Sequence, residues 1–178
     1  MKTFLKTKKG FTLIELVIYV TAFAMVTTLI TLFVFSLIRA QTKTRIIKEV
    51  SENAGRAMEL MLWEIRNAES IYLSTGSFDS HPGQLSILTD QDTPNGENTT
   101  YLDFYLDPDD LLCIKREGSD PEPLIPQNTK VTNLVFTHLT VDEVESVRIE
   151  LSVSYNPPGP NIAYQATTTL TSSAVLRR

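Results

Sequence analysis

One carboxylate in this 178-residue chain stands where a charge is costly: Glu15 marks the start of a long apolar segment. The 23 residues that follow, Leu16 to Ile38, carry no charge. A carboxylate costs roughly 2.5–3.5 kcal/mol at the centre of a bilayer and less near its edge, so Glu15 is expected to need a partner. The chemistry that this placement supports is charge pairing, most simply with an amine. The alternative is a headgroup-level carboxylate that is satisfied by water and by the positive N-terminal end of a helix.

The apolar segment itself predicts a membrane span. A helix of this length is roughly 34 Å long, enough to cross a hydrocarbon layer of about 30 Å. No acidic residue occurs among the first 14 residues, and four lysines there are typical of a cytoplasmic leader: Lys2, Lys6, Lys8 and Lys9. An ordinary signal peptide fits less well, because its apolar core has only about 7–15 residues. Four basic residues also follow the span, so charge alone does not orient it.

The string KKGFTLIEL, residues 8–16, resembles the processing site of type IV prepilins and type II secretion pseudopilins. The resemblance implies that a prepilin peptidase cuts after Gly10 and methylates the new amine of Phe11. Glu15 matches the family's assembly glutamate, which implies an ion pair with the Phe11 amine of a neighbouring subunit. Coulomb attraction at ~4 Å and an effective dielectric of ~20 is about 4 kcal/mol, opposed by desolvation of both groups. Such a pair is expected to fix register more than to add stability.

The same resemblance implies a non-enzymatic filament subunit. The apolar segment lacks the proline that many major pilins carry, which favours a minor subunit. MELMLWEIRNAESI, residues 58–71, and the terminal SSAVLRR are similar to J-type or W-type minor pilins and pseudopilins. We therefore expect assembly into the tip or priming complex of a type IV pilus, a secretion pseudopilus or a DNA-uptake pilus. The implied partners are the prepilin peptidase, other pilin or pseudopilin subunits, the inner-membrane assembly platform and the membrane itself.

Residues that could carry enzymatic chemistry are scarce. The single cysteine, Cys113, excludes an intramolecular disulfide and is expected to be a buried apolar residue. With only His81 and His138, a histidine-rich metal centre is not expected. Because neither a nucleophile elbow nor a phosphate loop occurs, no catalytic residue and no cofactor are predicted. Residues 71–178 hold 15 acidic against 6 basic side chains, so nucleic acid binding is not expected.

One loop, residues 89–99, is rich in the hard oxygen ligands that calcium prefers. Its spacing fails the EF-hand pattern, because Pro94 occupies a ligand position and the glycine comes one residue late. A solvated turn is therefore expected there rather than a metal site. The candidate ligands are Asp90, Asp92, Asn95, Glu97 and Asn98.

The apolar helix is expected to continue beyond the membrane, since neither proline nor glycine interrupts residues 11–54. Apolar residues then recur at steps of three and four, which predicts a buried stripe on one helix face. The surrounding charges form opposite pairs one turn apart, including Lys48 with Glu52. Trp63 lies off the stripe and is predicted to pack on a sheet edge or to contact a neighbouring subunit. The stripe comprises Ile47, Val50, Ala54, Ala57, Met61, Ile65 and Ala68.

Beyond Ile71 the pattern alternates with period two, which predicts strands with one buried face. The clearest is SVRIELSVSY, residues 146–155; the others are 84–89, 100–106, 111–117, 131–140 and 164–176. Turns are expected at 107–110 and 156–160, and a proline-rich crossing at 118–126. The sequence thus predicts an α+β fold, a long N-terminal membrane-spanning helix packed on a mostly antiparallel sheet, as in type IV pilins.

Four segments follow from these patterns: a leader over 1–10, a transmembrane and assembly helix over 11–38, its amphipathic continuation over 39–70, and an extracytoplasmic β-rich domain over 71–178. The expected location is a single pass in the inner or cytoplasmic membrane, and the filament after assembly. The rival interpretation is a permanently anchored extracytoplasmic module that binds a ligand without polymerising. A tip adhesin is a further alternative, although no residue of the β domain points to a receptor.

Overall fold

The computed structural model describes residues 10–94, 96–142, 144–156 and 165–177. Several predicted features therefore lie outside the described residues: residues 1–9 of the leader, Asn95, the loop residues 157–160 and Tyr164. The chain divides into two compact units, Met1–Gln41 and Thr42–Arg178.

A single helix, α1 (Leu13–Asn67), begins in the first unit and ends in the second. This confirms the prediction that the helix does not stop at the end of the apolar segment. The remaining described residues form eight strands: β1 (Ser70–Ile71), β2 (Leu85–Thr89), β3 (Thr100–Leu106), β4 (Leu112–Arg116), β5 (Glu122–Pro123), β6 (Thr129–Val141), β7 (Val144–Tyr155) and β8 (Thr167–Val175).

The strands form two sheets rather than the one that the sequence predicted. Strands β1 to β5 lie in sequence order in a five-stranded sheet, and β6 to β8 form a three-stranded sheet. Every pairing between these strands is antiparallel, as expected. The proline-rich segment 118–126 contributes β5 and then carries the chain from one sheet to the other. The α+β arrangement of one long helix on antiparallel sheets is confirmed.

The six predicted strands are all present, and β3 has the predicted bounds. In β7, Val147, Ile149, Leu151 and Val153 are buried as predicted, but Ser152, predicted on the polar face, is buried as well, and Tyr155 is only partly buried. The two strands that the sequence did not predict, β1 and β5, have two residues each, too few for a period-two pattern to be visible.

The core of the second unit lies between the later part of α1 and the two sheets. Six of the seven residues in the predicted helix stripe are buried, but Ile47 is 44% exposed and that part of the prediction is wrong. Ile46, one full turn before Val50, takes its place and is 6% exposed. Each sheet contributes large buried side chains to this core, among them Leu85, Ile87, Leu102, Phe104, Leu134, Phe136, Ile149 and Leu151.

The predicted turn between β3 and β4 is held by one side chain. Asp107 Oδ1 accepts hydrogen bonds from the N–H groups of Asp109 (2.9 Å) and Leu111 (2.8 Å). Asp110 adopts a positive φ of 59°, a conformation that aspartate tolerates better than most residues. The turn thus follows from the Asp-rich sequence that predicted it.

Candidate functional site

The N-terminal segment places Gly10 and Phe11 ahead of the helix, in non-helical backbone. Gly10 is exposed and Phe11 is 75% exposed, so the peptide bond between them is open to another protein. A Cβ built on Gly10 would meet nothing within 4 Å. The described part of the chain therefore does not itself require glycine at this position, and any requirement would come from a molecule that binds the segment.

Thr12 caps the first turn of α1, a role that the sequence interpretation missed. Its Oγ1 accepts a hydrogen bond from the Glu15 N–H at 3.3 Å, and its carbonyl accepts the first helical bond from Leu16. Threonine followed three residues later by glutamate is the capping-box pattern, so the signal was present in the sequence. Capping satisfies one of the N–H groups that a helix start leaves without a partner.

Glu15 lies in the first turn of α1, as expected for a carboxylate near the positive end of a helix. Tyr19, one turn later, donates its hydroxyl to Glu15 Oε1 at 3.3 Å. The Tyr19 ring also meets the Phe11 ring edge-on, with centroids 6.0 Å apart and planes at 69°. Sequence interpretation missed Tyr19, although its spacing of four from Glu15 places both on one helix face.

Within the described residues, no lysine or arginine nitrogen lies within 4 Å of the Glu15 carboxylate. Among the described residues, Glu15 therefore lies together with Thr12, Tyr19 and the positive helix end, and with no lysine or arginine nitrogen within 4 Å. Lys8 and Lys9 lie outside the described residues. The Glu15 carboxylate thus accepts one hydrogen bond from a described residue, the Tyr19 hydroxyl, and a charged partner would have to come from outside the described residues.

The first unit presents an apolar helix surface. One 18-residue window of α1 has a mean hydropathy of 2.2 and is not buried by any described part of the chain. Four threonines in this part of the helix donate their hydroxyls to backbone carbonyls of α1 itself, so their polar groups need no water: Thr21, Thr27, Thr28 and Thr31. By length and composition this helix can cross a membrane.

The other candidates from the sequence have structural partners. His81 Nδ1 accepts a hydrogen bond from the Leu134 N–H at 3.0 Å, so this exposed residue ties its loop to β6. His138 lies in β6 with its ring near Phe78.

Cys113 is buried in β4. Burial, and to a smaller extent the charge of Asp107, raises the pKa of its thiol. A raised pKa disfavours the reactive thiolate, which agrees with the predicted packing role.

The acidic loop 89–99 is engaged by the rest of the domain. Asp92, at a positive φ of 50°, has its carboxylate 3.8 Å from the guanidinium of Arg116. Asp90 accepts a hydrogen bond from the neighbouring Gln91 side chain at 3.0 Å. Within the described residues, which omit Asn95, no group of three or more histidine, cysteine or acidic side chains is arranged around a common metal position.

The second unit contains a buried ion pair that sequence interpretation did not predict. Glu64 in α1 is 2% exposed, and its Oε1 lies 2.6 Å from Arg116 Nη2 in β4. Burial raises the pKa of the Glu64 carboxyl, and the charge and hydrogen bond of Arg116 oppose that rise. Glu64 Oε2 and Arg116 Nη1 are buried and have no hydrogen-bond partner among the residues that the structure describes. This ion pair joins α1 to the five-stranded sheet, so its role is structural, and the buried carboxylate is not accessible to a ligand.

A family model described as the prokaryotic N-terminal methylation motif matches residues 5–31. This motif is typical of type IV pilin-like proteins, and its matched range contains Gly10, Phe11, Glu15 and Tyr19. No curated protein and no solved structure matches the chain significantly. The motif supports a pilin- or pseudopilin-like protein that is processed near its N-terminus, and together with the apolar helix it indicates a membrane-anchored protein.

Proposed function

We propose that this chain is a minor pilin or pseudopilin: a non-enzymatic subunit that is cleaved, N-methylated and assembled with other pilin-like subunits. The observation that carries the proposal is the coincidence of the methylation motif with an exposed glycine that lies three residues before a long apolar helix. In this proposal the prepilin peptidase cuts between Gly10 and Phe11. The chain is thus the substrate of an enzyme and not itself a catalyst.

The position of the cut is supported by the local backbone. A protease needs an extended peptide, and Gly10 to Thr12 are non-helical whereas the chain is helical from Leu13. A cut after Gly10 would leave Phe11 and Thr12 as the only residues ahead of the helix. The new amine would then lie four residues before Glu15 in the sequence, just ahead of the end of α1 where the helix dipole is positive.

Assembly in this proposal depends on Glu15. Its carboxylate has no cation within 4 Å in the described residues, and it stands at the edge of an apolar surface. The Phe11 amine of a neighbouring subunit, displaced along the common helix direction, would supply the missing positive charge. Because desolvation opposes the attraction, the pair would act mainly by selecting the register between subunits.

The minor role rests on the sequence of α1. The helix runs through residues 13–67 without a proline, so it lacks the break found in many major pilins. We propose that the subunit enters the tip or priming complex of a type IV pilus, a secretion pseudopilus or a DNA-uptake pilus, in the manner of J-type or W-type minor subunits. The inner-membrane assembly platform would be its partner there, and the β-rich domain would be extracytoplasmic.

Mass spectrometry of the chain purified from host membranes tests the proposal. The expected N-terminal peptide begins with N-methylated Phe11, and it is absent from a host that lacks the prepilin peptidase. Gly10→Val should block processing and leave Met1 or the uncut leader in place. Gly55→Ala, a glycine substitution in the second unit, is the matched control and should be processed normally.

An intact leader on the wild-type chain in its native membrane would overturn the proposal. That result would favour the rival interpretation, a tethered extracytoplasmic module whose β domain binds a ligand. Correct processing without incorporation into any crosslinked complex with pilin-like proteins would retain the cleavage step and reject the assembly step.

A further inference from the structure

We infer that Tyr19 is a positioning residue for Glu15: its hydroxyl holds one carboxylate oxygen in place and leaves the other for the incoming amine of a neighbouring subunit. The inference deepens the proposed function and rests on it for the identity of that amine. The contact between Tyr19 and Glu15 is an observation of the structure and does not depend on it.

The geometry of one helix face carries the inference. Residues four apart lie above one another on an α-helix, so Tyr19 projects back over the turn that contains Glu15. The Tyr19 hydroxyl donates to Glu15 Oε1 at 3.3 Å, while its ring meets the Phe11 ring at 6.0 Å between centroids. A single side chain therefore contacts both residues that the proposed assembly step uses.

The Glu15 carboxylate has capacity for both partners. An ionised carboxylate offers two oxygens with about four lone-pair sites, and the hydroxyl uses one of them. The structure shows a hydrogen bond to Oε1 and none to Oε2 from a described residue. An amine can therefore bind without displacing Tyr19, and the hydroxyl reduces the conformational freedom that Glu15 would otherwise lose on assembly.

The contrast with the threonines of the same helix supports a specific role. Four threonine hydroxyls in the apolar segment donate to carbonyls of α1, as hydroxyls in lipid are expected to do. The Tyr19 hydroxyl instead donates to an acidic side chain. A phenol cannot fold back onto its own turn as threonine does, so at this position it requires a side-chain acceptor or water.

Tyr19→Phe is the discriminating variant, because it keeps the ring contact with Phe11 and removes only the donor. The 3.3 Å separation is long for an O–H···O bond, so the expected effect is modest. We expect cleavage after Gly10 to be unchanged and the crosslinked, co-assembled fraction of the chain to fall about two- to five-fold. Thr21→Val, which removes a hydroxyl bonded to Ile18 O in the same helix, is the matched control and should assemble as the wild type does.

A double-mutant cycle separates positioning from general packing. In a Glu15→Ala background, Tyr19→Phe should cause no further loss of assembly, since the group that it positions is absent. An equal loss in both backgrounds, or assembly of Tyr19→Phe at the wild-type level, would overturn the inference.

A second measurement does not depend on assembly. Infrared spectra of the full chain in detergent micelles should show a carboxylate difference band between wild type and Tyr19→Phe, and that band should vanish when both chains carry Glu15→Gln. Its absence in the first comparison would also overturn the inference. If the band is present while the wild-type chain keeps its leader, the contact stands and the proposed function is what fails.

Discussion

The carboxylate of Glu64 and the guanidinium of Arg116 meet at 2.6 Å in the interior of the second unit, where Glu64 is almost completely buried. Arg116 also reaches Asp92 at 3.8 Å, so one arginine connects α1, β4 and the acidic loop. The hydrogen bonding of the pair is incomplete, because Glu64 Oε2 and Arg116 Nη1 have no hydrogen-bond partner in the described part of the chain. Removal of one member should therefore destabilise the domain more than removal of both members.

Arg116→Met should destabilise the domain by about 3–5 kcal/mol, because it leaves the Glu64 carboxylate buried without a counter-charge. The double variant Glu64→Leu with Arg116→Met should recover most of that loss, since an apolar pair of similar volume has no desolvation cost. Thermal unfolding of the full chain in detergent, followed by fluorescence of Trp63, the chain's single tryptophan, measures both effects.

Arg148→Met is the matched control for that experiment. Arg148 pairs with Glu150 at 2.9 Å, but both side chains are exposed to solvent, so its loss should change the free energy of unfolding by less than about 1 kcal/mol. Equal destabilisation by the two arginine substitutions would contradict the assignment of Arg116 as a buried tie.

The raised pKa of Glu64 predicts a specific pH dependence. Burial raises the pKa of this carboxyl in the folded state above its ordinary value of 4.5. At pH values between 4.5 and the raised pKa, the folded chain therefore binds more protons than the unfolded chain. The Glu64 contribution to stability is therefore fully present below pH 4.5 and is lost as the pH rises through the raised pKa.

Comparison with Glu64→Gln isolates this contribution. Relative to the wild type, the variant should become progressively more stable as the pH rises through that window, and the difference should then become constant. Denaturant unfolding at a series of pH values measures it. Parallel stability profiles for the two chains would show that Glu64 does not titrate differently on folding.

Gly55→Ala should stabilise the second unit by about 0.5–1 kcal/mol. Gly55 lies in the interior of α1, where glycine is unfavourable relative to alanine because it loses more backbone freedom on folding. A Cβ at this position would meet nothing within 4 Å, so the gain is not offset by steric conflict. A higher midpoint of thermal unfolding is expected, and a lower midpoint would indicate that the helix needs glycine there.

Gly83→Ala should have the opposite effect, a loss of about 1–3 kcal/mol from overpacking. A Cβ on Gly83 would lie 2.9 Å from the carbonyl oxygen of Leu134 and 3.0 Å from Phe136 Cδ2. The Gly83 N–H also donates to that Leu134 oxygen at 2.9 Å, which fixes the close approach of the loop to β6. Thermal unfolding tests this prediction, and an unchanged midpoint would mean that β6 can shift to accommodate the added methyl group.

Periodicity predicted the regular elements of the fold because one face of each is buried. The apolar stripe of α1 and the alternation in β7 were both visible, with errors at Ile47, where the neighbouring Ile46 is buried instead, and at Ser152, which is buried although predicted on the polar face. The division into two sheets was not visible, because strand order depends on contacts between residues distant in the sequence. The pairing of Glu64 with Arg116, 52 residues apart, escaped prediction for the same reason.

At the N-terminus one sequence motif predicted the functional residues Gly10, Phe11 and Glu15. The structure adds the neighbouring residues that contact Phe11 and Glu15. Thr12 follows from the capping-box spacing and could have been found. Tyr19 could have been placed on the Glu15 face from its spacing of four, but its contact with both Phe11 and Glu15 depends on side-chain conformations that spacing does not specify. An amine from a neighbouring subunit has no signature in a single chain beyond the carboxylate that would receive it.

Glu15→Ala separates processing from assembly. The Glu15 side chain accepts a hydrogen bond from Tyr19, while the cap of α1 uses the Glu15 backbone N–H and the Thr12 hydroxyl. Alanine preserves that backbone bond, so the helix should still begin at the same place and Gly10 should still be cut. Incorporation beside partner subunits should fall at least ten-fold, because removal of the carboxylate leaves the neighbouring amine desolvated without a counter-charge, at a cost of about 2–5 kcal/mol against the roughly 1.4 kcal/mol that corresponds to a factor of ten. The measurement is the ratio of crosslinked to processed chain, with Thr21→Val as the control for substitution within the helix. Normal co-assembly of a correctly processed Glu15→Ala chain would show that the register of the subunits is set elsewhere on α1.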